Sequence, residues 1–347
     1  MQRIDLKQLT ALETQQWLES LGEKPYRAKQ MRAWIFMRGV ADFSQMTDIS
    51  KKFRETLPQI ARVTKLEEAA RSVSEDGTIK FLHRLEDGHT VESVWIPADD
   101  RATLCVSTQV GCKLGCRFCL TGKWGFIRDL SAAEIIDQLI AARLAVPGGR
   151  VTNVVLMGMG EPLDNYENVL RALNVWTEGD EGIIGARKIT LSTAGLAPRI
   201  VDLAGDFPKV KLAVSLNAVT DDVRGQIMPI NKKYPLKELF AALAKWPLPR
   251  GRRITFEYVM LSGVNDSDRD AEALCQLTRD IPSKINLIPF NECPGLPYKR
   301  PDEGRVEKFR EILMKNNRTA IVRESRGRDI LAACGQLREE KELKGGR

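Results

Sequence analysis

An α/β fold built on a mostly parallel sheet is the architecture that this 347-residue sequence predicts, and three observations carry the prediction. Beyond residue 101, short β-branched runs alternate with stretches of helical periodicity, the pattern of strands joined by crossover helices. Apolar residues make up 43% of the chain, which at this length can bury one large domain with a smaller one attached. No run of about 18 apolar residues occurs, and the opening segment MQRIDLKQLTALETQQWLES lacks the charged-then-apolar layout of a secretion signal, so a cytoplasmic protein without membrane contact is expected.

Taken in order, residues 1–61 alternate helical stretches with turn signals. Met31, Trp34 and Ile35 form an apolar stripe at i, i+3, i+4 spacing, rimmed by Lys24, Arg27, Lys29, Arg32 and Arg38. The stripe is expected in the core; the rim suits either phosphate contact or plain solvation. Over residues 62–100 the period changes to two, with FLHRL, a turn at Glu86-Asp87-Gly88 and TVESVWI ending at Pro97, which describes a small β unit. His83 and His89 fall in it and are expected at surface or turn positions rather than as ligands. Strands then follow at TLCVSTQ, TNVVLM, KITLS, KLAVSL, ITFEYVM and KINLIPF, with helices over 131–145, 166–176, 197–204, 236–246 and 268–280 between them. Helix 304–316 and a further run, TAIVRES, complete the pattern before the charged tail at 338–347. Six strands with intervening helices fit an open (βα)6 barrel and a doubly wound sheet equally well, and either gathers ligands beyond the C-terminal strand ends.

Lys and Arg outnumber Asp and Glu by 53 to 46, an excess that favours a polyanionic partner but also suits an ordinary solvated surface. Seven cysteines in a reducing compartment are unlike a disulfide framework, and a clustered subset is better used on a metal. That subset lies in GCKLGCRFCLTG, where Cys112, Cys116 and Cys119 follow the first strand on a glycine-rich loop. A structural zinc site wants four ligands, and a ferredoxin cluster four cysteines. Three cysteines leave one iron open for a ligand that brings its own chelating atoms.

This motif, with Phe118 just before its last cysteine, resembles the signature of the radical S-adenosylmethionine (SAM) superfamily. The resemblance implies a [4Fe–4S] cluster on Cys112, Cys116 and Cys119, with SAM chelating the fourth iron and cleaved by one electron to a 5′-deoxyadenosyl radical. Supporting residues stand at strand ends. In MGMGEP, Gly160 permits close backbone approach and Glu161 can receive the SAM ammonium, while the third glycine of a dinucleotide fingerprint is missing. Ser192, Ser215, Leu216, Asn217 and Asn291 offer hydroxyl, amide and backbone groups for ribose, carboxylate and adenine; each alone is an ordinary strand-end cap, and together they describe a ring.

Five stretches, GEKPYRAKQ, VESVWIP, TLCVSTQVGC, MPINKKYPL and AACGQL, with isolated cysteines at Cys105 and Cys334, make the chain similar to the RlmN/Cfr family of RNA adenine methyltransferases, and most similar to its RlmN branch. The resemblance implies a helical RNA-binding accessory domain at 1–61, a β linker unit at 62–100 and an open (βα)6 partial TIM barrel of radical-SAM type at 101–337. It also implies methylation of carbon 2 of an adenine in 23S rRNA at the peptidyl-transferase centre and in tRNA next to the anticodon, by a monomer served by an electron donor such as flavodoxin with its reductase. Carbon 2 lies between two ring nitrogens and cannot attack the electrophilic methyl of SAM, whereas a cysteine thiolate can. In the family mechanism, carried onto this chain, two SAM molecules serve each turnover. Cys334 accepts a methyl group from one, the radical from the other abstracts a hydrogen from that S-methyl, and the carbon radical adds to the ring. Glu92 in VESVWIP then takes the ring proton, and Cys105 attacks the sulfur of Cys334, releasing the base and leaving a transient disulfide. The competing readings are carbon-8 methylation as in the Cfr branch, a glycyl-radical activase needing the cluster but neither Cys105 nor Cys334, and a non-catalytic iron–sulfur RNA-binding module. Cys275 falls among apolar helix residues and reads as packing.

Overall fold

The structure is a computed structural model and describes residues 3–178 and 183–337. The tail at 338–347 lies outside the described residues. Strand β1 (Ile4–Asp5) precedes helix α1 (Ala11–Ser20), which begins at a capping box of Thr10 and Glu13. Helix α2 (Tyr26–Arg32) runs into a π-helical turn over Ala33–Met37, and α3 (Lys51–Ile60) leads to β2 (Ala61–Arg62), paired parallel with β1. Met31 and Ile35 are buried and Trp34 packs against the same core, as the stripe predicts. The basic rim is less uniform than its sequence suggests. Lys24, Lys29 and Arg38 are exposed, but Arg32 is buried, donates to the Leu9 carbonyl at 3.0 Å and lies 4.6 Å over the Phe36 ring. Its guanidinium therefore braces the first turns of the domain and is closed to phosphate.

Three antiparallel strands follow, β3 (Glu67–Val73), β4 (Ile79–Arg84) and β5 (Thr90–Pro97). Next come β6 (Ala102–Cys105), β7 (Gln109–Gly111), α4 (Leu120–Trp124), β8 (Phe126–Asp129), α5 (Ala132–Ala145), β9 (Asn153–Leu156), α6 (Tyr166–Thr177) and β10 (Ile189–Thr193). The chain continues through α7 (Ala197–Asp206), β11 (Lys211–Ser215), α8 (Asp221–Ile227), α9 (Leu236–Leu243), β12 (Ile254–Met260), α10 (Asp268–Leu277), β13 (Ser283–Pro289), α11 (Glu303–Lys315) and β14 (Ala320–Val322). The main sheet has the order β14-β13-β12-β11-β10-β9-β6-β5-β4-β3, parallel from β14 to β6 and antiparallel beyond.

That order decides between the two architectures. Each parallel strand lies beside its predecessor, with none of the reversal a doubly wound sheet requires, so the sheet curls one way as a partial barrel. The barrel stays open because β6 gives its other edge to β5, which carries the antiparallel meander. Alternation sorts the side chains: on β12, Phe256 stacks on Phe240 and Tyr258 packs against Phe309 on the helix side, while Glu257 and Val259 face the barrel interior.

One expected strand is divided. TLCVSTQ forms β6 only to Cys105; the Val106 N–H still bonds the Val155 carbonyl, but Thr108 and Gln109 both donate to the carbonyl of Met159. The chain thereby leaves the main sheet, and Gln109–Gly111 pairs with β8 instead.

His83, expected at the surface, is buried on β4 with Nε2 2.8 Å from the Ser93 hydroxyl. Burial lowers its pKa from 6.5 to about 4. The unfolded chain binds the extra proton between those values, so this residue's contribution to stability is complete above pH 6.5 and is lost as pH falls toward about 4. At about 1.4 kcal/mol per pKa unit, the loss approaches about 3 kcal/mol. Urea melts across this window are expected to show a shallower acid slope for His83→Gln than for the wild type; equal slopes would contradict the assignment.

Candidate active site

Beyond β7 the chain passes through Cys112, Cys116 and Cys119 on a loop clamped at several points. The Cys112 N–H donates to the Gly125 carbonyl at 2.7 Å, the Arg117 N–H to the Ile227 carbonyl at 2.9 Å, and the Cys119 N–H to the Cys116 carbonyl at 3.1 Å. A Cβ at Gly122 would stand 3.0 Å from the Cys116 nitrogen, so α4 approaches the loop backbone to backbone. All three cysteines line one open cavity of about 1050 Å³ at the C-terminal ends of the barrel strands. Among the described residues no trio of His, Cys, Asp or Glu is set to hold a single metal ion. A cubane makes a different demand, because each thiolate binds a different iron and the three sulfurs stand farther apart than around one ion. Burial pushes the Cys112 thiol up to about 12 and that of Cys116 well above its ordinary value, with the neighbouring cysteines and Glu161 adding to both. Bare thiolates are thus disfavoured here, whereas a cationic iron centre would stabilise them.

The later strand ends complete the ring. Gly160 has φ of 100°, and a Cβ there would come 2.6 Å from the Cβ of Gln109. Glu161 is buried, with one oxygen accepting the Ala194 N–H at 2.7 Å and the other the Leu163 N–H at 3.1 Å; burial raises its pKa to about 7. Ser192 and Ser215 line the cavity half-buried. Asn217 also lines it, in a left-handed conformation with φ of 59°, but its side-chain Oδ1 accepts the Val259 N–H at 2.8 Å and its Nδ2 faces the Met228 sulfur at 3.2 Å. Leu216 is fully buried outside the lining, its N–H donating to the Glu257 carbonyl and its own carbonyl accepting from Arg224 Nε, each at 3.0 Å. Asn291 turns Nδ2 toward the Cys334 carbonyl at 3.4 Å and leaves Oδ1 buried without a partner among the described residues, an acceptor available to a ligand in the cavity.

Cys334 lies on the C-terminal loop, which α4 grips: the Leu120 N–H donates to the Gly335 carbonyl at 2.8 Å and the Thr121 hydroxyl to the Leu337 carbonyl at 2.7 Å. Its side chain is accessible, yet the accessible space is the cavity, and the surrounding protein pushes the thiol up. Cys105 is buried outside the lining; burial raises its thiol to about 12, with the proximity of Cys334 the next cause. Val94 of β5 pairs directly with Cys105, so Glu92, two residues earlier, shares that face of the sheet. Glu92 is buried and pairs with Lys80 Nζ at 2.7 Å.

Comparison with known proteins agrees with this geometry. Residues 4–63 match the family described as ribosomal RNA large subunit methyltransferase N-terminal domain, and residues 106–274 match the radical SAM superfamily. A dual-specificity RNA methyltransferase RlmN from Anaeromyxobacter dehalogenans is 50% identical over 97% of this chain and 92% of its own length. Its counterpart from Geotalea uraniireducens is 48% identical over 97% of both. The chain belongs to the RlmN family. Among solved structures, a radical SAM methyltransferase from Sphaerobacter thermophilus superposes with a TM-score of 0.90 at 44% identity, over 96% of this chain and 99% of that one. The fold is accordingly that of a radical SAM enzyme, which uses a [4Fe–4S] cluster and SAM, and the residues present fit both groups.

Within this RlmN-family site two charged lining residues escaped sequence reasoning. Glu257 points inward from β12, hydrogen-bonded by Asn286 Nδ2 at 2.9 Å, its pKa raised by burial and partly offset by Arg323. Arg323 follows β14 at the cavity wall. A glutamate inside the apolar run ITFEYVM was the available signal, since strands of a covered parallel sheet read as continuous apolar runs. Cys275 is buried in α10, as its packing role predicts, and Cys293 is also buried, its thiol pushed up chiefly by that burial.

Proposed function

We propose that this protein is a cytoplasmic, monomeric methyltransferase acting on carbon 2 of an adenine in 23S rRNA and of one in tRNA, with the methyl group carried on Cys334. The observation that bears most weight is the thiol of Cys334 opening into the same cavity as the three-cysteine loop, with Cys105 close behind it. Relatives near half identity over almost the whole chain are dual-specificity RNA methyltransferases, which supports two RNA substrates here. Bound on Cys112, Cys116 and Cys119, the cluster, reduced by a flavodoxin-type donor, and two molecules of SAM per turnover supply the electron, the methyl group and the hydrogen-abstracting radical.

The chain's own residues divide the remaining work. Glu161, Ser192, Ser215 and the open acceptor of Asn291 hold and orient the cofactor, with Gly160 and Asn217 shaping the wall and Leu216 supporting it from behind. Cys334 offers its sulfur to the cavity. Glu92, on the face it shares with Cys105, takes the ring proton, and its ion pair with Lys80 fixes the carboxylate until substrate reaches it. Cys105, buried and protonated at rest, acts last. Residues 1–61 serve as the RNA-binding accessory domain, 62–100 as the link and 101–337 as the catalytic barrel.

Anaerobic incubation with methyl-labelled SAM, reductant and RNA, followed by mass spectrometry of the digested nucleosides, tests the assignment. 2-Methyladenosine is the expected product. 8-Methyladenosine would place the enzyme with the Cfr branch, and SAM cleavage without any RNA methylation would overturn the reading.

A further inference from the structure

Three large apolar side chains stand in solvent beside the cluster loop: Trp124 is 55% exposed, Phe126 37% and Ile127 41%. They occupy the junction of α4 and β8, where Gly125 with φ of 85° reverses the chain. The backbone there is fixed, because Cys112 donates to the Gly125 carbonyl and Phe126 pairs with Gly111 across β7 and β8. Leaving a tryptophan and a phenylalanine in water at a rigid position forgoes the free energy of burying them, and such patches mark interaction sites.

The surroundings indicate which partner. Lys113 and Lys123 are exposed beside the patch, with Lys113 Nζ 5.1 Å from the centre of the Phe126 ring and Lys123 next to Trp124 in the chain, and Arg117 is exposed on the cluster loop. Lys113 is shared with Asp164, but Arg117 and Lys123 form no ion pair among the described residues. Aromatic faces interleaved with cations suit unpaired nucleotides, whose bases stack while their phosphates meet the charges. Duplex RNA keeps its bases stacked inside and has nothing to offer Trp124. The placement is also apt: Gly122, two residues before Trp124, lines the cavity, and Leu120 and Thr121 of the same short helix hold the segment that carries Cys334.

We propose that Trp124 and Phe126 form a stacking platform for unpaired nucleotides flanking the methylated adenine, with Arg117, Lys123 and Lys113 taking the adjoining phosphates. The proposal rests on the RNA methyltransferase reading and identifies the single-stranded state of the substrate as what the surface recognises. A stem-loop RNA containing the target adenine, titrated against holoenzyme by fluorescence anisotropy, tests it with Trp124→Ala, Trp124→Leu and Trp124→Phe. Trp124→Ala and Trp124→Leu are expected to bind about tenfold more weakly or worse, the scale of one lost base stack, with the KM for RNA rising and kcat holding. Trp124→Phe should recover most of the affinity, because leucine keeps the apolar surface and only phenylalanine keeps a π face. Annealing a complementary strand over the loop should erase the difference between variants. Equal affinity for Trp124→Leu and Trp124→Phe, or a loss of binding to lipid vesicles or to a protein instead of RNA, would overturn the platform. Wild-type enzyme that binds no RNA would instead overturn the RNA reading beneath it.

Discussion

Alanine at any one of Cys112, Cys116 or Cys119 is expected to leave a folded protein without its cluster and to reduce RNA methylation to background. One iron of the cubane already lacks a protein ligand, so two remaining thiolates cannot retain it. The fold does not share this dependence. The three side chains lie on a half-exposed loop whose position is set by backbone hydrogen bonds to Gly125, Ile227 and Cys116, none of which a Cys→Ala change removes. Burial also raises the thiols of Cys112 and Cys116, so without metal they stay protonated and uncharged, and the alanine variants should melt close to the apoprotein. Anaerobic iron and sulfide analysis alongside urea denaturation separates the two effects. A variant that keeps a full complement of iron and cleaves SAM would remove the cluster from this loop.

The ease with which this loop reads from sequence has a physical origin: its ligands lie within eight consecutive positions, so spacing alone expresses the chemistry. Barrel closure is different. Strand and helix periodicities are the same in a barrel and a doubly wound sheet, and only the resemblance to a family, then the sheet order, separates them. Arg32 and His83 depart from the expected surface for a related reason. Each is a polar residue inside a largely apolar run, and its burial is completed by partners at Leu9 and Ser93 that local pattern does not place. The contact of Glu92 with Lys80 depends on the register of β4 against β5, and Glu257 meets the cavity from β12 while Arg323 meets it from just beyond β14. Residues that act through long-range packing are legible only once the elements are assembled.

Cys105→Ala is expected to accumulate a covalent protein–RNA species that survives denaturant, while Cys334→Ala forms none. The assignment gives Cys105 a single late task. Its sulfur attacks the sulfur of Cys334, an S–S bond forms, the S–C bond to the modified base breaks, and the carbon leaves with the electron pair and gains a proton. Everything earlier proceeds without it, because Cys105 lies outside the cavity lining and outside the cluster loop. Burial holds its thiol near 12, so at neutral pH it waits protonated, and the release step should quicken as pH rises and the thiolate fraction grows. Cys334→Ala removes the atom that bridges protein and RNA, so the double variant should match it, as when one residue acts only on the product of another. Labelled RNA on a denaturing gel, across pH and with each variant, reads every part of this. A covalent band from Cys334→Ala, or multiple turnovers by Cys105→Ala, would break the order of events proposed for these two thiols.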